Sequence, residues 1–132
     1  MGRLENAVFI DSNILVFANV EKYPEHERAL KVLEDGLKGE FVLSFNTVIA
    51  LEAHYKLLKI LNASDARYRV GTLFKSKRTL FFNVDEEAIE KAFEISEKYK
   101  IGTNDAAIAA SMLGNGIEKI YTDNKYRSLQ KD

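Results

Sequence analysis

Four short, β-prone apolar runs punctuate the 132-residue chain, and each of the first three is followed by a stretch long enough for one or two helices. They are AVFI at 7–10, FVLS at 41–44, TLFFNV at 79–84 and KIYT at 119–122. Runs this short, rich in Val, Ile, Phe and Tyr, read as buried strands. Strands joined by helical crossovers lie parallel, and a parallel sheet must be covered on both faces. The expected fold is therefore α/β: one domain over 1–132, a three-layer α/β/α sandwich with a central parallel sheet of about four strands.

Between the runs, periodicity and end signals predict the helices. Residues before 8 read as a tag-like lead. Ser12 or Asn13 caps a helix through about Asn19. Pro24 suits the first turn of a second helix, with Ala29, Leu30, Val32, Leu33 and Leu37 as apolar positions and Gly36 and Gly39 at its end. Asn46 or Thr47 starts a long helix to about Leu61, with Val48, Leu51, Tyr55 and Leu58 on one stripe. Ser64 caps a helix toward Lys77. Asp85 caps an acidic helix whose core stripe is Ala88, Ile89, Ala92, Phe93 and Ile95. Gly102 breaks the chain, residues 103–113 form an alanine-rich helix, and Gly114-Asn115-Gly116 ends it. A short last helix is expected from near Asn124. No internal repeat or low-complexity linker interrupts this order.

Composition narrows the class. Apolar content of 46% with 30% charged residues is that of a soluble globular protein. No run approaches the roughly 18 apolar residues needed to cross a bilayer, and no basic-then-apolar leader precedes residue 8. The chain has no cysteine, which excludes disulfides and thiolate metal sites and fits an intracellular, cytoplasmic protein. Net charge is only −1, but the charges are segregated. From Lys56 to Arg78 seven basic residues (Lys56, Lys59, Arg67, Arg69, Lys75, Lys77 and Arg78) face one acid, Asp65. From Asp85 to Lys98 six acids face Lys91 and Lys98. Such segregation makes either a phosphate track or a pair of solvated helix faces.

Four acids stand in unusual places. Asp11 interrupts VFIDSNILVF at the carboxyl end of the first strand, where ligands bind in open α/β sheets. Asp123 follows the fourth strand in the same way. Asp105 falls in the first turn of the alanine-rich helix, near the positive end of its dipole. Glu52 projects close to Val48 and Tyr55, on the apolar side of its helix. Each has an ordinary alternative: Asp11 and Asp123 as caps, Asp105 as a first-turn acid, Glu52 paired with Lys56 one turn on. Taken together, the element ends expected on one sheet edge would crowd carboxylates that repel one another. A divalent cation removes that penalty, and an all-oxygen donor set suits Mg2+ or Mn2+. Such ions activate water and neutralise a phosphodiester, which points to phosphoryl transfer.

The ordered set of D-S-N after the first strand, Glu52 in a long helix, N-D-A-x-I-A-A, and T-D-N after the last strand resembles a PIN domain, from Val8 to about Tyr126. That resemblance implies a small α/β/α sandwich with an acidic pocket at one edge of its parallel sheet. It also implies Mg2+- or Mn2+-dependent ribonuclease activity of the kind seen in VapC-type toxins, which a small antitoxin protein neutralises, and homodimerisation. Carried over by position, Asp11, Glu52, Asp105 and Asp123 would be the catalytic, metal-holding acids. Ser12, Asn13 and Thr122 would be supporting residues, with Asn124 as the alternative to Asp123 for the last ligand. The chain departs from the pattern by ending nine residues after Asp123, which leaves little room for the final strand that many members have.

The function expected on these grounds is endonucleolytic hydrolysis of single-stranded RNA by a metal-activated water, with no histidine needed. His26 and His54 lie away from the motifs. The seven basic residues from Lys56 to Arg78 would track phosphates, and Tyr55 and Tyr68 either stack bases or belong to the core and its rim. The competing classes are a non-catalytic PIN-like module that binds RNA or protein, and a DNA nuclease of the flap-endonuclease kind.

Overall fold

The computed structural model describes residues 2–122 and 126–128. Its centre is one five-stranded sheet in the order β3-β2-β1-β4-β5, from strands Ala7–Ile10 (β1), Val42–Asn46 (β2), Thr79–Phe82 (β3), Lys119–Tyr121 (β4) and Tyr126–Ser128 (β5). Strands β1 to β4 are mutually parallel, as expected, and β5 runs antiparallel to β4, pairing Lys119 with Ser128 and Tyr121 with Tyr126. The expectation of a last helix from Asn124, and of too little room for a final strand, is thereby corrected. An unpaired edge of β4 would present a row of N–H and C=O groups, and three returning residues suffice to pair with it.

Seven helices accompany the strands among the described residues: α1 (Gly2–Glu5), α2 (Ser12–Ala18), α3 (His26–Leu37), α4 (Thr47–Leu58), α5 (Ala63–Phe74), α6 (Glu86–Tyr99) and α7 (Thr103–Gly114). The tag-like lead forms a single helical turn, α1. Pro24 lies just outside α3, whose N-cap is Glu25. Asn62, not Ser64, caps α5, its side chain accepting from the Asp65 N–H at 2.8 Å. Asp85 caps α6 as expected.

The two faces of the sheet are read along β2. Leu43 and Phe45 point one way, toward α3 and α5, where Phe45 meets Phe81 edge-on and Phe81 meets Phe74 of α5. A Cβ on Gly36 would come within 2.5 Å of the Leu43 side chain, so this glycine lets α3 approach β2 instead of ending the helix. Ser44 and Asn46 point the other way, toward α7. Because Ser44 is small, the rings of Phe9 and Phe82 stack across it from the two neighbouring strands, 5.9 Å between centroids. Asn46 is fully buried and serves two elements at once. Its Oδ1 accepts from the Ile49 N–H at 3.0 Å, capping α4, and its Nδ2 donates to Ser111 Oγ at 3.0 Å and Ala107 O at 3.3 Å on α7.

Two helix faces differ from expectation. On α4 the buried residues are Ile49, Ala50, Ala53 and Leu57, while Leu51 (65% exposed), Tyr55 (60%) and Leu58 face outward. On α6 only Ala92 and Ile95 of the expected stripe are buried, and Ile89 and Phe93 are exposed. Apolar residues occur around most of the circumference of α4, so its sequence contains two competing stripes, and contact with the sheet selects the one built from smaller side chains.

Candidate functional site

The strand order places the chain's change of direction between β1 and β4: β2 and β3 extend the sheet to one side of β1, and β4 returns on the other. The crevice beyond the carboxyl ends of strands at such a switch point is where open α/β sheets bind ligands. Asp11 stands there, directly after β1, and its N–H donates to the carbonyl of Tyr121, the last residue of β4, at 3.0 Å. Half-buried Thr122 follows on the β4 side. Asp123 and Asn124 lie outside the described residues.

Asp11 is also the N-cap of α2, so the capping alternative holds in part: its Oδ1 accepts from the Ser12 N–H at 2.7 Å. Glu52 approaches from the second turn of α4, half-buried, and its Oε2 accepts from Asn104 Nδ2 of α7 at 2.6 Å. Asp105 follows in the first turn of α7, exposed to solvent, in a helix whose Gly102 N-cap offers no side-chain cap. Asn46, by tying the start of α4 to α7, sets these two helices against one another and so sets Glu52 against the Asn104-Asp105 pair.

The Asp11 carboxylate feels both of the other described acids. Burial pushes the Asp11 carboxyl above the usual carboxylate range, and repulsion from Glu52 and Asp105 pushes it the same way; the Ser12 N–H and the Lys56 ammonium act against the rise. Lys56 lies one turn beyond Glu52 on α4. Its ammonium does not close the ion pair with Glu52 that the spacing allows. It donates instead to Ser12 Oγ at 3.1 Å and Asn13 Oδ1 at 2.9 Å, on the turn that carries Asp11. Ser12 is 1% exposed.

The donor chemistry around Asp11 is all carboxylate, amide and hydroxyl oxygen, which suits a hard cation. Among the described residues no three carboxylates or histidines close into a ligating cluster. Mg2+ does not require one, since it keeps several waters and takes one or two carboxylates directly. The donor types present are those that a hydrated divalent ion of that kind takes.

The other basic residues fall in several places. Lys59 lies over the Tyr55 ring, 4.4 Å from its centroid. Arg67 and Lys75 line a groove between α4 and α5 with His54, Leu51 and exposed Tyr68, a cavity of about 610 Å3 that includes none of the carboxylates. Arg69 donates to Asn19 Oδ1 at 3.0 Å and Arg78 to the Leu37 carbonyl at 2.8 Å, so both tie the fold together. Lys77 is exposed and engaged in a contact of its own. His26 meets the Phe17 carbonyl through Nδ1 at 2.8 Å, away from the site as expected. Sequence reasoning names Asn46 as a start of α4 but misses its tie to α7, and it misses the hold of Asn104 on Glu52 and the inward turn of Lys56. The adjacency of Asn104 to Asp105 and the four-residue step from Glu52 to Lys56 are the available signals.

Comparison with known proteins bears on the family and the fold. The family model described as PIN domain matches residues 8–132. Ribonuclease VapC6 of Methanocaldococcus jannaschii is 26% identical over 146 aligned residues, covering 95% of this chain and 89% of that protein. Among solved structures, the Mycobacterium tuberculosis toxin VapC20, described as cleaving the sarcin-ricin loop, superposes with a TM-score of 0.73 at 17% identity, covering 87% of this chain and 88% of that one. A toxin–antitoxin complex from Klebsiella pneumoniae superposes with a TM-score of 0.61 at 18% identity, covering 87% of this chain and 84% of that one.

Proposed function

This chain belongs to the PIN-domain family, and on that premise we propose that it is a Mg2+- or Mn2+-dependent endoribonuclease that hydrolyses phosphodiester bonds of single-stranded RNA, acting as the toxin of a toxin–antitoxin pair. One observation carries the reading: a carboxylate stands at the switch point of the sheet, Asp11, its proton affinity raised first by burial and further by Glu52 and Asp105 from two other elements. Carboxylates gathered at the expense of their own repulsion are a poor structural device and a good cation site. The relatives named above are ribonucleases and toxins of antitoxin pairs, which supports extending the same activity and a small protein partner to this chain.

Asp11, Glu52, Asp105 and Asp123 would hold the ion, with Asn124 as the alternative to Asp123. When bound, Mg2+ or Mn2+ supplies Lewis acidity and positive charge at the scissile phosphate. The chain's own groups do the positioning. Asn104 fixes one oxygen of Glu52 by its amide N–H, and the other oxygen would turn toward the ion. The Ser12 N–H fixes Oδ1 of Asp11. Thr122, at the end of β4, would orient the last acid. Lys59, Arg67 and Lys75, beside exposed Tyr55 and Tyr68, would attract and stack the RNA strand, each phosphate contact steepening the salt dependence of binding. The whole of 1–132 would act as one PIN domain, as a homodimer in the cytoplasm. Among the described residues no helix is long and apolar enough to cross a membrane.

The test is digestion of single-stranded RNA, single-stranded DNA and branched DNA with Mg2+ or Mn2+ and with EDTA, using the wild type, Asp11→Asn and Asp105→Asn. Metal-dependent RNA cleavage lost in both folded variants is expected. Cleavage that survives EDTA, or survives both substitutions, would sink the mechanism; preference for branched DNA would move the chain to the flap-nuclease class.

A further inference from the structure

The acidic site already contains a cation of the chain's own. An exposed lysine ordinarily keeps its head in water while its stem lies along apolar surface. Lys56 does otherwise: it is half-buried, and its ammonium donates to the buried Ser12 hydroxyl at 3.1 Å and to Asn13 Oδ1 at 2.9 Å. Both acceptors follow Asp11 directly in the chain, and the ammonium attracts the Asp11 carboxylate. Drawing a lysine head out of water costs desolvation and side-chain freedom. Two hydrogen bonds and the charge of the Asp11 carboxylate offset that cost, and the ammonium favours the charged form of Asp11.

We propose that Lys56 is the internal counter-cation of the acidic site, holding Ser12 and Asn13 while neutralising the carboxylates of the metal-free protein, and that a divalent ion enters in exchange for it. The inference rests on the reading of Asp11, Glu52 and Asp105 as a cation site. It gives Lys56 a positioning and gating role rather than a place in a solvent-exposed phosphate track. A dication and an ammonium within one pocket repel even at the dielectric constant of water, so the wild type binds metal more weakly than the same site without the charge, by roughly tenfold. Removing the charge while no metal is present leaves the carboxylates facing each other, which destabilises the fold.

The experiment uses the full chain, stripped with EDTA, as wild type, Lys56→Met, Lys56→Gln and Lys56→Arg. Thermal unfolding is followed in EDTA, and Mn2+ binding is measured by calorimetric titration near neutral pH. Lys56→Met and Lys56→Gln are expected to melt at lower temperature in EDTA and to bind Mn2+ roughly tenfold more tightly than wild type. Lys56→Arg keeps both properties close to wild type. If Lys56→Met does not fold, Lys56→Gln carries the comparison, because its amide is polar and uncharged. Neutral variants that bind Mn2+ no more tightly than wild type overturn the exchange. Absence of Mn2+ binding in the wild type and in every variant is a different result, because it removes the metal site itself and the proposed function with it.

Discussion

Replacing Asn46 by alanine tests whether one buried amide holds the two site helices in place. The side chain is 0% exposed and makes three hydrogen bonds, one as the N-cap of α4 and two to Ser111 and Ala107 of α7. Loss of an N-cap of this kind costs about 1 kcal/mol. Removing the amide also leaves the Ser111 hydroxyl and the Ala107 carbonyl without this partner in a dry location, which adds about 1–3 kcal/mol. The sum is about 2–4 kcal/mol, and for a domain of this size each kcal/mol lowers the melting temperature by about 3–5 °C. Circular dichroism melts and urea titrations of wild type and Asn46→Ala should therefore differ by roughly 6–20 °C in Tm. Asn46→Ser, which can still cap α4 but cannot reach α7, should recover about 1 kcal/mol, roughly a quarter to a half of the loss. A fall below about 3 °C for alanine would refute the reasoning, since it would mean that neither the cap nor the tie to α7 contributes as buried hydrogen bonds do.

Asn104→Ala removes the donor that orients Glu52; RNA cleavage should fall by about 10–100-fold, the usual effect of losing a partner of a metal-holding side chain. Its melting temperature should stay close to wild type because Asn104 is exposed, and unchanged cleavage would remove Glu52 orientation from the mechanism. The raised proton affinity of Asp11 makes a signed prediction for the metal-free protein. A carboxyl whose pKa is higher folded than unfolded contributes stability below the unfolded value of 3.8 and loses it as pH rises through the folded value. Asp11→Asn should accordingly melt higher than wild type in EDTA at neutral pH, with the difference shrinking as pH falls toward 3.8. A variant less stable than wild type at neutral pH, with its fold intact, would contradict the stated balance of burial and attraction.

Part of the site is legible in the order of residues alone. Asp11 follows four apolar residues that read as a buried strand, and Asp105 follows Gly102 at the head of an alanine-rich helix. Their approach is electrostatic rather than a bonded contact: Asp105 adds to the raised proton affinity of Asp11. Glu52 is harder. The stripe that predicts its inward direction includes Leu51 and Tyr55, and both of these face solvent. Glu52 is nonetheless half-buried, held there by Asn104 of α7 rather than by the apolar side of its own helix. The final strand escapes sequence reading because only three residues form it, and so short an element is specified by the edge it completes rather than by its own pattern.

The sequence by itself determined the alternation of strand and helix, hence a parallel α/β sheet, and the placement of acids at element ends. These follow from period, cap and turn chemistry, which act over a few residues and are written locally. Tertiary structure alone decided which of two apolar stripes α4 buries, which glycine serves close packing, and where Lys56 points. Lys56 and its acceptors are 43 and 44 residues apart in the chain. Helical spacing pairs this lysine with Glu52, yet packing of α2 against α4 brings the Ser12-Asn13 turn within reach of the ammonium. Contacts at that separation depend on which helix faces meet across the sheet, and the energy that selects those faces is summed over the whole core.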